Sequence, residues 1–346
     1  MSQKEIRFVV VGAGHMGAMH IKKLHSLGPK VGARVSVIVE PDELRATSLL
    51  REFSGPDKPR ILSNLGLLSE LGTKDYPDAA IVAVPASIHV ETANACLAKN
   101  LHTLVEKPLG FSALDVEELS RQARAHKCIL QVGLLERLTL AKLWGAWKPK
   151  PGPWTINAVR SGPFVPRAAD VDVIHDLMIH DIDLFVMIDS VYRICSVKNV
   201  RAWGRKLRSG LLDYAIVALD FDNGGMARFF ASRLSADSSR SWEMTGPDWH
   251  ASVDFMRRGM KHFTRVGRDM NAFEARESSW TGGDPLSLEL EVFVRRVRGE
   301  FDSMAKKVDP VFEHFDPQLL LPTPQNVART HEIIDEILSC IKVLDT

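Results

Sequence analysis

The chain has 346 residues, enough for two domains and a large core. Its 45% hydrophobic and 25% charged residues are those of an ordinary globular protein, and 44 basic against 43 acidic residues leave no net field to attract nucleic acid or a membrane surface. The four cysteines (Cys96, Cys128, Cys195 and Cys340) form no C-x-x-C pair, and no apolar run approaches the ~18 residues of a membrane span, so the reading is a cytoplasmic protein with reduced thiols.

Residues 6–11 are an apolar strand that runs into Gly12-x-Gly14-x-x-Gly17 and then into a helical pattern (Met16, Ile21, Leu24, Leu27). In that context the glycines have separate tasks. Gly12 permits a tight turn, Gly14 lets the main chain approach a dinucleotide pyrophosphate, and Gly17 lets the helix pack on the strand. The helix start offers unpaired N–H groups and the positive end of its dipole to the phosphates. A second strand, Val35–Val39, ends at Glu40, whose carboxylate suits both ribose hydroxyls and repels a 2′-phosphate. The following Pro41-Asp42-Glu43 adds negative charge with no nearby Arg, which favours NAD over NADP. The extra length between Gly17 and Glu40 is assigned to a turn at Gly28–Gly32.

Strands and helices then alternate as in a parallel sheet covered on both faces. A helix from Glu43 to about Phe53 is followed by a strand at Ala79–Val84 ended by Pro85, and by a helix over Val90–Lys99. Leu101–Val105 is the next strand, Ser112 and Asp115 open a capped helix, and Ile129–Gly133 is the last strand of the series. The run Lys148-Pro149-Lys150-Pro151-Gly152-Pro153 breaks the pattern. Beyond it the strands alternate as in an antiparallel sheet: Trp154–Arg160, Val197–Trp203, Asp213–Phe221, Met226–Leu234 and Trp242–Met244. Asp222-Asn223-Gly224-Gly225 makes one hairpin. A helix over His175–Ser190 interrupts them, Asn271–Asp284 reads as a surface loop, and helices at Leu286–Arg298 and Gln325–Val343 close the chain. The expected fold is an α/β N-terminal Rossmann domain, residues 1–137, a C-terminal α+β domain with an open, mainly antiparallel sheet, residues 138–322, and a terminal helix, residues 323–346.

Two stretches carry candidate chemistry. Glu106-Lys107-Pro108 follows a parallel strand, where open α/β sheets place ligands, and a lysine there can reach a nicotinamide and a reacting carbon together. Further on, Asp176, His180 and Asp183 fall at i, i+4 and i+7, one face of a regular helix. An imidazole beside a carboxylate suits general-base work on a hydroxyl. The same spacing is open to a metal site or a buried structural histidine, although no Glu or Cys completes an obvious ligand set and no metal is assigned.

The order of these pieces resembles the Gfo/Idh/MocA oxidoreductase family (glucose–fructose oxidoreductase, inositol dehydrogenase and rhizopine catabolism proteins) over nearly the whole chain. The matching residues are Gly12-x-Gly14-x-x-Gly17, Glu40, Ala83-Val84-Pro85-Ala86-Ser87-Ile88-His89, Glu106-Lys107-Pro108 and Asp176-x-x-x-His180-x-x-Asp183-Leu184. The resemblance implies a catalytic set of Lys107, Asp176 and His180. It implies cofactor contacts from Gly12, Gly14, His15, Met16, Gly17, Glu40, Val84, Pro85, His89, Glu106 and Lys107. It also implies a homodimer or homotetramer built through the open sheet.

Met178 stands where many members have Gly. The phrase Asp176–Leu184, preceded by Arg160–Phe164 and Asp170–Val173, is similar to a narrower branch, the UDP-N-acetylglucosamine 3-dehydrogenase-like proteins. Those make a 3-keto sugar for a partner aminotransferase in lipid A precursor synthesis. Where that branch has Glu-Arg-Phe-Asn-Pro, this chain has Glu136-Arg137-Leu138-Thr139-Leu140. The expected substrate is therefore a sugar or nucleotide sugar. Lys107, Asp176 and His180 would contact it, and Arg137, Arg160 and Arg167 are candidates for its diphosphate. A dehydrogenase of a free polyol such as an inositol, and a non-catalytic dinucleotide-dependent sensor, are the alternatives.

Overall fold

The computed structural model describes residues 5–53, 58–165, 170–267, 272–281, 283–300 and 320–344. The first sheet is parallel and six-stranded: β1 (Ile6–Val11), β2 (Ala33–Val39), β3 (Arg60–Leu62), β4 (Ala79–Val82), β5 (His102–Glu106) and β6 (Leu130–Gly133) lie in the order β3-β2-β1-β4-β5-β6. The order reverses between β1 and β4, and it is outside the carboxyl ends of the strands at such a switch that open sheets hold ligands. The central strands are apolar along their length because helices cover both faces. One face packs α1 (His15–Val31), the other α3 (His89–Ala98) and α4 (Ala113–Ala125); the short α2 (Glu43–Leu49) follows β2.

The Ser112–Asp115 capping box at the start of α4 is formed as the sequence suggests. The expected turn at Gly28–Gly32 is shorter than the sequence implied. The α1 helix continues through Pro29 to Val31 and ends at Gly32, which takes the left-handed conformation (φ 63°) that glycine adopts without strain.

The segment after β6 continues as α5 (Glu136–Trp144), and the chain then enters a nine-stranded sheet. Its strands are β7 (Thr155–Ser161), β8 (Val197–Arg205), β9 (Tyr214–Phe221), β10 (Met226–Ser232), β11 (Ser239–Gly246), β12 (Trp249–Asp254), β13 (Gly259–Arg265), β14 (Phe273–Ser279) and β15 (Lys342–Val343). The order is β14-β13-β12-β11-β7-β10-β9-β8-β15. Pairing is antiparallel except between β7 and β10 and between β8 and β15. Where the sequence suggested a loop over Asn271–Asp284, β14 pairs with β13 as an edge strand. It escapes pattern reading because nearly every residue in it is exposed, so no apolar alternation marks it.

One face of this sheet is closed by α6 (Ile179–Tyr192), and that interface forms the second core. Two later helices return to the first sheet. The α7 helix (Pro285–Val297) buries Leu286, Leu290, Phe293 and Val294 beside α1, and α8 (Pro324–Cys340) buries Val327 on the α4 side. Backbone also links the two regions, Val132 N–H donating to Pro322 O at 2.7 Å.

Candidate functional site

The glycine turn after β1 is built as its spacing requires. Gly12 has φ +92°, and a Cβ there would lie 2.5 Å from Ala83 O; a Cβ at Gly17 would lie 1.8 Å from Gly12 O. Neither position admits a side chain. Gly14, by contrast, has nothing within 4 Å of the place its Cβ would take, so the turn is open on the side where a ligand would approach. No side chain caps α1, which leaves the N–H groups of His15, Met16 and Gly17 at its start to an anion.

Glu40 is buried at the end of β2. Its Oε2 accepts from Ala13 N–H at 2.8 Å and its Oε1 from Asp42 N–H at 3.1 Å, so the backbone fixes the carboxylate beside the glycine turn. Arg45 also reaches it, Nη1 lying 3.3 Å from Oε1 with half its side chain exposed. The sequence reading found no nearby arginine. The residue lies one turn into α2, and the helix swings it back over the strand end.

The second cluster lies where β5 meets the start of α6. Lys107 Nζ donates to Asp176 Oδ1 at 2.9 Å and to Asp176 O at 2.7 Å. Residues Ile174–Met178 form a π turn rather than a regular α turn, a wider geometry that often marks functional positions. Asp176, His180 and Asp183 therefore do not act as one stripe. The carboxylate of Asp176 is committed to Lys107, while Asp183 turns to Arg137 and Thr330.

His180 has its Nδ1 buried with no hydrogen-bond partner among the described residues. Burial holds the imidazole well below its ordinary range, and the positive charges of Arg160, Lys107 and Arg240 push the same way. It is a neutral base at physiological pH. Asp172 anchors the turn, accepting from Ile174 N–H, His175 N–H and His175 Nδ1 at 2.8–3.0 Å.

Residues 6–134 match the oxidoreductase family with an NAD-binding Rossmann fold, named for Gfo, Idh and MocA. That match covers the nucleotide domain, whose fold is similar to that of Gfo/Idh/MocA oxidoreductases. The UDP-N-acetylglucosamine 3-dehydrogenase of Acidithiobacillus ferrooxidans is 28% identical over 260 residues, 75% of this chain and 77% of that protein. An inositol 2-dehydrogenase of Corynebacterium glutamicum is 33% identical over 137 residues, 39% of this chain and 38% of that one. Among solved structures, one of the A. ferrooxidans enzyme superposes with a TM-score of 0.76 at 24% identity, covering 97% of this chain and 98% of that one.

The arginines nominated for a diphosphate have other duties. Arg137 is buried, donates to both oxygens of Asp183 at 2.6 and 2.7 Å, and reaches Asn326. Arg160 is buried, donates to both oxygens of Asp181 at 3.0 Å, and meets Glu136 at 3.2 Å. Burial alone would disfavour the Arg160 charge, but the two carboxylates hold its pKa above the ordinary value. Both guanidinium groups are enclosed by acidic partners of the protein itself, so neither faces a substrate phosphate. Arg167 lies outside the described residues.

His89 braces two loops, one ring nitrogen facing Pro108 O at 2.7 Å and the other Val84 O at 2.9 Å. It positions Val84, Pro85 and the Lys107–Pro108 segment rather than presenting a free ring. Glu106 turns under the sheet to His20 Nε2 at 2.7 Å. Two residues that the sequence reading passed over lie at the site: Arg45, beside Glu40, and Arg240, whose charge reaches His180. The Arg45 signal was local, a basic residue in the first turn after an acidic strand end. Arg240 had none, because only sheet pairing brings it near α6.

Proposed function

We propose that the protein is an NAD-dependent dehydrogenase that oxidises a secondary hydroxyl of a sugar, specifically C3 of UDP-N-acetylglucosamine, giving a 3-keto sugar for a downstream aminotransferase. The observation that carries the reaction class is Lys107 tethered to Asp176 near His180, whose Nδ1 has no partner among the described residues, at the carboxyl edge of the nucleotide sheet. The substrate rests on likeness to the A. ferrooxidans enzyme over three quarters of the chain.

The residues present fit the cofactor: an open Gly14, uncapped N–H groups at the start of α1, and a buried acceptor at Glu40 would hold pyrophosphate and adenosine ribose. Bound NAD would supply the hydride acceptor. Lys107 donates a hydrogen bond to the reacting oxygen and stabilises the negative charge that grows on it. His180, neutral and with Nδ1 unpaired, takes the hydroxyl proton. Asp176 is the positioning residue of Lys107, holding the ammonium at the end of β5.

Glu40 supports NAD over NADP, because a buried carboxylate repels a 2′-phosphate. The same reading makes the protein a cytoplasmic homodimer or homotetramer joined through the open sheet; among the described residues no helix is long and apolar enough to cross a membrane. The likeness to an inositol 2-dehydrogenase favours a free polyol as the second reading.

The test is NADH formation with UDP-N-acetylglucosamine, its galacto epimer, glucose and myo-inositol, with a carbonyl trap to draw off ketone. Turnover confined to the nucleotide sugars is the expected result. Turnover with myo-inositol alone selects the polyol reading, and NAD binding with no turnover on any sugar selects a dinucleotide-dependent sensor.

A further inference from the structure

The sheet face that packs on α6 carries a cation whose side chain has no hydrogen-bond partner among the described residues. Arg240, on β11, lies directly across from Arg160 on β7, and residues opposed in this way share a face. Two residues along, Trp242 lies on that same face and donates its Nε1 to Asp181 Oδ1 at 2.9 Å. Arg240 therefore stands one pleat beyond a contact with the residue that follows His180.

The two opposed arginines differ in their freedom. Arg160 is enclosed by both oxygens of Asp181 and by Glu136. The Arg240 side chain is 48% exposed, makes no hydrogen bond among the described residues, and has Glu136 Oε1 at 3.8 Å, an oxygen that Arg160 already holds at 3.2 Å. A half-exposed ion pair at that distance contributes little. An incoming phosphate ester offers a guanidinium two charge-assisted hydrogen bonds in matching geometry, a far better partner.

We propose that Arg240 is the residue that binds a phosphate ester of the substrate, on the sheet face that packs on α6, one pleat beyond the Trp242–Asp181 contact. The assignment rests on the dehydrogenase reading above for the position of the reacting carbon, but the anion site stands on its own geometry. It gives the bound substrate a polarity, with the hydroxyl to be oxidised toward Lys107 and His180 and the phosphate outward at β11. A neutral polyol has no group for Arg240 and loses this source of affinity.

The test is calorimetric titration of the NAD-loaded protein with UDP, N-acetylglucosamine 1-phosphate and uridine, for wild type, Arg240→Met and Arg240→Lys. Loss of a charge-assisted contact predicts roughly ten- to hundredfold weaker binding of the phosphorylated probes to Arg240→Met, with an intermediate effect for Lys. NAD affinity, the control for folding, stays unchanged. The response of N-acetylglucosamine 1-phosphate shows whether a monoester suffices or the nucleoside diphosphate is needed. Equal UDP affinity in wild type and Arg240→Met, or uridine binding as tightly as UDP, overturns the proposal.

The two readings fail separately. Phosphate-dependent binding that Arg240→Met abolishes, with no NADH from any sugar, keeps the anion site and removes the dehydrogenase. NADH from myo-inositol at equal kcat/KM in wild type and Arg240→Met, with no UDP bound, keeps the dehydrogenase and removes the anion site.

Discussion

Lys107 Nζ sits 2.9 Å from Asp176 Oδ1 and 2.7 Å from Asp176 O, so a single ammonium ties the end of β5 to the turn that opens α6. The contact joins the nucleotide sheet to the turn before the helix that covers the second sheet, and in the proposed reaction it sets where the reacting oxygen is met. Replacing Lys107 by Met removes the charge and keeps the stem. Turnover should fall by about 10²–10⁴-fold, the range expected when an electrostatic or proton-transfer partner is lost. NAD affinity should stay within about twofold of wild type, because the pyrophosphate is expected at the start of α1 and the adenosine ribose at Glu40. Full activity in Lys107→Met would remove the residue from the mechanism.

His180 should leave a signature in the pH profile. Its folded-state pKa is lowered by burial and by three nearby cations, so the ring is already neutral at and below its ordinary pKa of about 6.5. The acid limb of kcat/KM, which reports the free enzyme, should therefore fall below that value. Replacing Arg240 by Met removes one of the three charges and should move the limb toward higher pH. A limb at 6.5 or above in the wild type contradicts the placement of His180.

The buried ion pairs behind the site are structural, and their removal should show in stability before activity. Asp183→Ala leaves Arg137 charged and enclosed, at a cost of about 3–5 kcal/mol. Urea unfolding gives the value directly. A loss below about 1 kcal/mol would mean that the pair is solvated in solution.

Glu289, on α7, is buried with Oε2 unpartnered among the described residues, and burial together with the nearby Glu106 raises its pKa well above the ordinary carboxyl range. The folded state then holds a proton that the unfolded chain releases, so the stability contributed by this group is complete at low pH. It is lost as pH rises from about 4.3, the unfolded value, toward the folded one. Glu289→Gln mimics the protonated form and should be more stable than wild type at neutral pH, with a flatter dependence across that window. Parallel pH dependence in the two proteins would place Glu289 outside the titrating set.

Arg45 bears on the choice of coenzyme. With Glu40 in place the arginine is held by the carboxylate, 3.3 Å away. In Glu40→Ser it is released at the ribose end, and NADP should gain roughly ten- to hundredfold in affinity from one charge-assisted contact. Adding Arg45→Ala should remove the gain. If Glu40→Ser alone leaves NADP binding unchanged, Arg45 does not reach the 2′-position.

What could be read from the sequence follows the range of the interactions. The glycine turn was legible because Gly12 and Gly17 answer to atoms of Ala83 and of Gly12 itself, within the first strand–turn–helix and its neighbouring strand. Glu40 was legible because a strand end is a local feature. Arg137 and Arg160 looked available for a phosphate because their partners, Asp183 and Asp181, lie 46 and 21 residues away. Only the packing of α5 and β7 on α6 brings each guanidinium to its carboxylate. The π turn at Ile174–Met178 defeated the regular i, i+4, i+7 reading and gave Asp176 to Lys107 instead of to His180. Arg240 required the β7–β11 register, which no local pattern encodes.

The most direct measurement is label transfer from UDP-N-acetylglucosamine deuterated at C3 to NAD, read by mass spectrometry of the reduced cofactor. The account predicts one deuterium in the reduced nicotinamide for each ketone trapped, formed about 10²–10⁴-fold more slowly by Lys107→Met. Reduced cofactor without deuterium, or none at all from the wild-type protein, would contradict hydride removal from C3.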